Sequence, residues 1–235
     1  MTTGSLSQAE LELLRQLSSS VLASSIERFR VRLPNTGYTH LSIRAMFEDR
    51  PTMLGYAATL RIRTSEPPME GRNYYKNTRW WDHVLSVPEP RVVVIEDLDH
   101  PRGCGAFIGV THANLLRALG CVGVVTNGSV RDIDSLQSTG LNIFARGLSV
   151  SHAFAHVVDF GDEVTVAGMG VKPGELVHGD RQGVQTIPLE IAPKVAAVAE
   201  DVMKRRQYFL DLCRTDTFSI EKLRKAIAET EDYRK

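Results

Sequence analysis

The chain has 235 residues, 28 basic and 28 acidic, with 43% hydrophobic and 24% charged side chains. That length suits one large domain, or a domain with appended helices, around a substantial core. Balanced charge sets up no global field toward nucleic acid or an anionic membrane, so no direct nucleic-acid contact is expected.

Cys104, Cys121 and Cys213 are widely spaced and form no CxxC pair, which speaks against a disulfide framework and a zinc ribbon. No apolar run approaches the ~20 residues that cross a bilayer. The start MTTGSLSQAELELL lacks the basic and apolar regions of a signal peptide. A cytoplasmic protein that does not enter a membrane is expected.

In chain order, residues 1–30 read as helical. Ser7 and Glu10 have capping-box spacing, and Leu11, Leu14, Leu17, Val21 and Leu22 recur at helical intervals. After the turn LPNTG, the segment MLGYAATLRIRT reads as a strand through Tyr56, Leu60 and Ile62. Residues 64–79 read as a surface loop and WWDHVL as a short helix, while RVVVIED is a buried strand by its β-branched run. A glycine-rich turn, GCGAFIG, then precedes a helix from Thr111 to Leu119. CVGVVTNG is the next buried strand with its turn, followed by a short helix from Asp132 and the strand LNIFARG. From Asp162 short β segments alternate with glycines, and Leu189 to Lys235 is mostly helical, with Ile191, Val195, Val198 and Val202 on one stripe. This order predicts a helical extension over 1–30, an α/β core over 31–190 and helices over 191–235. The cluster Lys204, Arg205, Arg206 reads as a solvated helix face.

Two segments carry candidate chemistry. In GAFIGVTHANLLRALG, a glycine turn opening a helix leaves backbone N–H groups at Gly109, Val110, Thr111 and His112 to receive a carboxylate or phosphate. Gly103, Gly105 and Gly109 give GxGxxxG, whose third glycine is one residue late for a dinucleotide fingerprint. In GVVTNGSVRDID, Arg131 and Asp132 stand at the carboxyl end of a buried strand, where open α/β sheets place ligand groups. Arginine offers a fork to a carboxylate and aspartate offers hard oxygen to Mg²⁺ or Mn²⁺. The same two residues could instead pair with each other or cap the following helix.

The stretches GVVTNGSVRD, LNIFARG and GVKPGELVHGDRQGVQTIP, extended upstream by LPNTG and PRVVVIEDLD, resemble the RraA-like family over residues 30–200. That family includes 4-hydroxy-4-methyl-2-oxoglutarate aldolases, related oxaloacetate decarboxylases and the regulator of ribonuclease E activity A. The resemblance implies an α/β core of the β/β/α swivelling type, assembled as a homotrimer or hexamer with sites between subunits. It further implies Arg131 on the carboxylate and carbonyl of a small 2-oxo acid, Asp132 on Mg²⁺ or Mn²⁺, and the N–H groups of Gly109 to His112 on the pyruvyl end. Arg131 and Asp132 would thus be the catalytic pair. Characterised enzymes of the family carry an acidic residue twenty-one positions before the arginine, where this chain has Val110, and Asn127 stands where many members have Asp or a polar residue, a milder change.

Losing a general acid/base costs about 10²–10⁴-fold, so decarboxylation is expected to survive this change better than retro-aldol cleavage. His112 is a candidate replacement. His152 and His156, spaced for a helical zinc pair, along with Asp159, His178 and Asn114, are read as packing or as pocket wall; so is the pair Trp80–Trp81. Glu200 and Asp201 read as a solvated face or as reaching a neighbour's metal. The leading expectation is a metal-dependent carbon–carbon lyase. The alternative is a non-catalytic regulator that binds an RNA-processing enzyme through its ring surface.

Overall fold

A computed structural model of the chain describes residues 5–68 and 77–231. Local chemistry sets the first elements. Ser7 accepts from the backbone of Glu10, whose carboxylate accepts from Ser7 N at 2.8 Å, and this box starts α1 (Gln8–Arg15). Ser18 then caps a second helix, α2 (Ser19–Glu27), so the expected helical region is broken at Gln16–Ser18.

The chain continues through β1 (Arg44–Ala45), β2 (Met53–Arg63), α3 (Arg79–Ser86), β3 (Arg91–Asp97) and β4 (Ala106–Ile108). Next come α4 (Val110–Ala118), β5 (Cys121–Thr126), β6 (Ser129–Val130), α5 (Ile133–Ser138), β7 (Asn142–Ala145) and β8 (Gly147–Leu148). β9 (His156–Phe160), β10 (Val164–Val166), β11 (Met169–Val171), β12 (Leu176–Asp180) and β13 (Gly183–Ile187) lead to α6 (Ala192–Arg214) and α7 (Ile220–Glu231). Part of the loop expected at 64–79, residues 69–76, lies outside the described residues, and so do 232–235 at the carboxyl end.

The main sheet runs β1-β7-β5-β3-β2-β12-β13, with β9 also on β2. β2, β3, β5 and β7 are parallel neighbours; β12 and β9 run antiparallel to β2. Both faces are covered, which is why the run VVVI at 92–95 is apolar throughout. Val93 and Ile95 join the core beneath the helices, while Val92 and Val94 pack with Val164, Val166, Met169 and Val171 of the β10–β11 hairpin. The α/β core with helices added at both ends agrees with the sequence.

Two local readings are corrected and one histidine spacing is resolved. GCGAFIG is not all turn, because Ala106–Ile108 forms β4, and α4 begins at Val110 rather than Thr111. His152 and His156 do not share a helix. Ala153 takes a left-handed conformation (φ 48°), and His156 opens strand β9 with Asp159 paired to Arg61 at 3.2 Å. LNIFARG divides into β7 and β8 at Arg146.

His178 ties the amino-terminal helices to the sheet. It is fully buried, its Nε2 meets Leu17 O at 3.0 Å and its Nδ1 faces Ser19 Oγ at 3.4 Å. Beside it Asp180 accepts from Ser19 N at 2.8 Å, and Gln185 Nε2 donates to Ser19 O at 2.8 Å. Burial lowers the pKa of His178, and it pushes His112 down to about 4 from the ordinary 6.5. Both rings are therefore neutral in the fold. Below the ordinary value the unfolded chain takes up protons that the folded chain refuses, so stability is fully present above about 6.5 and falls as pH drops toward 4. A shift of the size at His112 corresponds to about 3 kcal/mol. Melting temperature measured against pH is expected to decline across that window; one that stays level would contradict the buried neutral histidines.

Candidate functional site

The site arises from a strand pairing too short to read in sequence. β4 and β6 are parallel neighbours in a small three-stranded sheet with β8, and Ile108 pairs with Val130. The segments leaving the two strands therefore emerge side by side. After β4 comes Gly109 and the amino end of α4; after β6 come Arg131 and Asp132. Arg131 N donates to Ile108 O at 3.0 Å, locking the two exits together.

Asp132 is the amino-terminal cap residue of α5, yet its carboxylate makes no cap bond to that helix. It turns instead to the other helix and accepts from Val110 N at 3.2 Å. Its backbone is left-handed (φ 61°, ψ 42°), a conformation that costs a non-glycine residue on the order of 1 kcal/mol and that aspartate tolerates better than most. The carboxylate thus sits on the positive end of the α4 dipole, with Arg131 Nε 3.7 Å from Oδ2. Neither side chain is sealed: Arg131 is 34% and Asp132 36% exposed.

At Gly109 the space a side chain would take is held by Arg131 and Asp132. The glycine's φ of −131° is open to any residue. A Cβ, however, would stand 2.8 Å from Asp132 Oδ2 and 3.1 Å from Arg131 Nε.

The remaining candidates separate from this niche to different degrees. Thr111 is exposed on the first turn of α4. His112 turns its ring inward, stacked on Phe107 at 4.8 Å and beside Trp80 at 6.1 Å, so only its main chain belongs to the helix end. Asn114 donates to Val110 O at 2.9 Å. Trp80 is core, against Phe107 and Trp81. Glu200 lies 4.0 Å from Lys204 on an exposed face of α6, and Asp201 is exposed beside it.

Asp97, not singled out in the sequence, supports the niche from below. It is buried and accepts from Gly103 N at 2.8 Å, while Asp97 N donates to Asn127 Oδ1 at 2.6 Å. Burial holds its carboxyl above the ordinary value, partly offset by the bonds it accepts from Asp99 N and Gly103 N. The cue was the acidic IEDLD at the end of a buried strand. Asn127 thus fixes the turn that leads to Arg131.

The fold and the niche define a mixed α/β protein whose charged groups stand at the carboxyl ends of parallel strands. The chain belongs to the RraA-like family (Aldolase/RraA), whose sequence model matches residues 25–185. A curated relative from Halalkalibacterium halodurans, named "Putative 4-hydroxy-4-methyl-2-oxoglutarate aldolase", is 29% identical over 84 residues, which are 35% of this chain and 40% of that protein. A solved structure from Pseudomonas syringae, of an uncharacterized protein, matches with TM-score 0.74 at 18% identity, over 96% of this chain and 97% of the other. Another, Streptomyces coelicolor RraAS2, described as an unusual member of the RNase ES inhibitor RraA protein family, matches with TM-score 0.68 at 20% identity, over 87% and 97%. Among the described residues, no helix is long and apolar enough to cross a membrane.

Proposed function

We propose that the chain is a metal-dependent lyase acting on a small 2-oxo acid, by decarboxylation of oxaloacetate or retro-aldol cleavage of a 4-hydroxy-2-oxo diacid. The supporting observation is the convergence at Gly109 of a helix amino terminus, the Arg131 guanidinium and the Asp132 carboxylate. The relatives' aldolase names favour the same chemistry.

The donor set fits Mg²⁺ or Mn²⁺ better than zinc. Among the described residues no three His, Cys, Asp or Glu side chains cluster to hold an ion. Mg²⁺ keeps most of its waters and needs only one or two carboxylates plus substrate oxygens. Asp132 would hold it, and when bound it would draw electron density from the substrate carbonyl. Arg131 binds the substrate carboxylate and orients the carbonyl toward the α4 amino end. With Val110 N engaged by Asp132, the N–H groups of Thr111 and His112 there would face the oxygen on which negative charge develops. In decarboxylation the bond to the departing carboxylate breaks, CO₂ leaves, the electron pair moves toward the carbonyl oxygen, and water returns one proton to carbon to give pyruvate.

This route needs no base to take a hydroxyl proton. Val110 offers none, and the inward ring of His112 does not replace it. Exposed apolar side chains beside β6, Leu148 at 56% and Val150 at 99%, support a homo-oligomer, trimer or hexamer, with the niche near a subunit contact.

Pyruvate release from oxaloacetate and from 4-hydroxy-2-oxo diacids, with and without Mg²⁺, tests the reading. No turnover with any acid, together with capture of a stable RNA-processing enzyme, would replace it with the regulator. Gly109→Ala is expected to reduce turnover about 10²-fold, the scale of a misplacement near 1 Å, with the melting temperature held. Unchanged turnover would show that the space at Gly109 is not used.

A further inference from the structure

The seam between the first and last helices opens into a second place where ligands could be held. On α6 the stripe Ala192, Val195 and Ala199 is buried, with α2 packed alongside the helix. The same face continues through Val202, Arg206, Phe209 and Cys213 at alternating three- and four-residue steps. There it lines a groove of about 770 Å³, facing Glu27, Arg28 and Arg30 at the end of α2. Arg205, expected with Arg206 on a merely solvated face, also lines it, its guanidinium 5.6 Å from the centre of the Phe209 ring.

The charge is one-sided. Four arginines and one glutamate line the groove, in a chain whose total charge is zero. Among the described residues Arg28 and Arg206 make no ion pair. Arg30, with a left-handed backbone (φ 53°), also lines the groove. Guanidinium groups are weakly hydrated and grip carboxylate or phosphate with two bonds at once. The floor of Val202, Phe209 and Leu210 is apolar. The volume falls within the ~300–1,000 Å³ usual for small-molecule sites. Residues 202–213 lie beyond the family match at 25–185, so one wall of the groove stands outside the stretch that defines the family.

We propose that this groove binds an elongated organic anion, with two or more carboxylate, phosphate or sulfonate groups on an apolar body. The site is independent of Arg131 and Asp132, so its test and that of the lyase reading fail separately. The full chain is titrated with the fluorescent disulfonate bis-ANS, and bound dye is then displaced with dodecanedioate. Saturable binding of one dye per chain is expected, displaced by dodecanedioate and not by inorganic phosphate. Arg28→Glu with Arg206→Glu is expected to weaken it about ten-fold or more through loss of charge-assisted bonds, and Phe209→Ala to weaken it through the floor. All these positions are at least partly exposed, and unchanged melting curves show that the fold is kept. Non-saturable binding, or binding indifferent to the three substitutions, would overturn the proposal. So would displacement by phosphate alone, or a groove closed to dye whose charge reversal changes the oligomeric mass, which would assign it to a second copy.

Discussion

Asp132→Asn is expected to lower Mg²⁺-dependent pyruvate release by about 10²-fold or more, since even outer-shell partners of a metal are worth 10–100-fold. Asparagine is the informative replacement. It tolerates the left-handed backbone that Asp132 adopts, and its side-chain oxygen still accepts from Val110 N, so geometry persists while the charge is lost. Alanine would add the backbone cost, on the order of 1–2 kcal/mol, and mix instability with chemistry. The partner substitution Arg131→Ala should raise KM more than it lowers kcat, because the guanidinium grips the substrate's carboxylate in ground and transition state alike. Calorimetric titration with Mg²⁺ in the presence of pyruvate gives a second readout. Binding lost in Asp132→Asn but kept in Arg131→Ala assigns the two roles; turnover and metal binding untouched in Asp132→Asn would remove the carboxylate from the mechanism.

Much of the architecture is written locally. The runs RVVVIED and CVGVVT are β-branched because both sheet faces are covered, and Ser7 with Glu10 carries a complete capping box. Arg131 and Asp132 could be placed at a strand end for the same reason. The relation between the two halves of the site could not. β4 has three residues and β6 two, too few for any periodicity, and their pairing is a contact across more than twenty residues of chain. Nor does sequence show which helix Asp132 serves: an aspartate before a helix ordinarily caps that helix, and here it serves α4 instead. The helical spacing of His152 and His156 carries no pair, since one left-handed residue between them, Ala153, removes the helix that the spacing presumes. The arginine groove is invisible in sequence because its walls are separated by most of the chain.

Val110→Asp is expected to raise retro-aldol cleavage by about 10²–10⁴-fold, the usual worth of a general acid/base, while changing decarboxylation far less. Val110 is the first residue of α4, and its N–H already meets Asp132 Oδ2 at 3.2 Å. A carboxylate there joins Asp132 at the positive end of the helix, where the dipole stabilises it, and is well placed to take a proton through water from a 4-hydroxyl. The substitution also sets a second negative charge beside the first. It should therefore tighten divalent-metal binding, and in metal-free protein lower thermal stability slightly through repulsion. The discriminating quantity is the ratio of the two activities, measured on oxaloacetate and on a 4-hydroxy-2-oxo diacid with the same enzyme preparation. A large rise in that ratio means that the parent chain retains the oxo-acid grip and lacks only the base. If both activities rise together, the missing carboxylate acts on the metal they share and the preference for decarboxylation falls. If neither rises, Val110 is not the position that distinguishes this chain from its aldolase relatives.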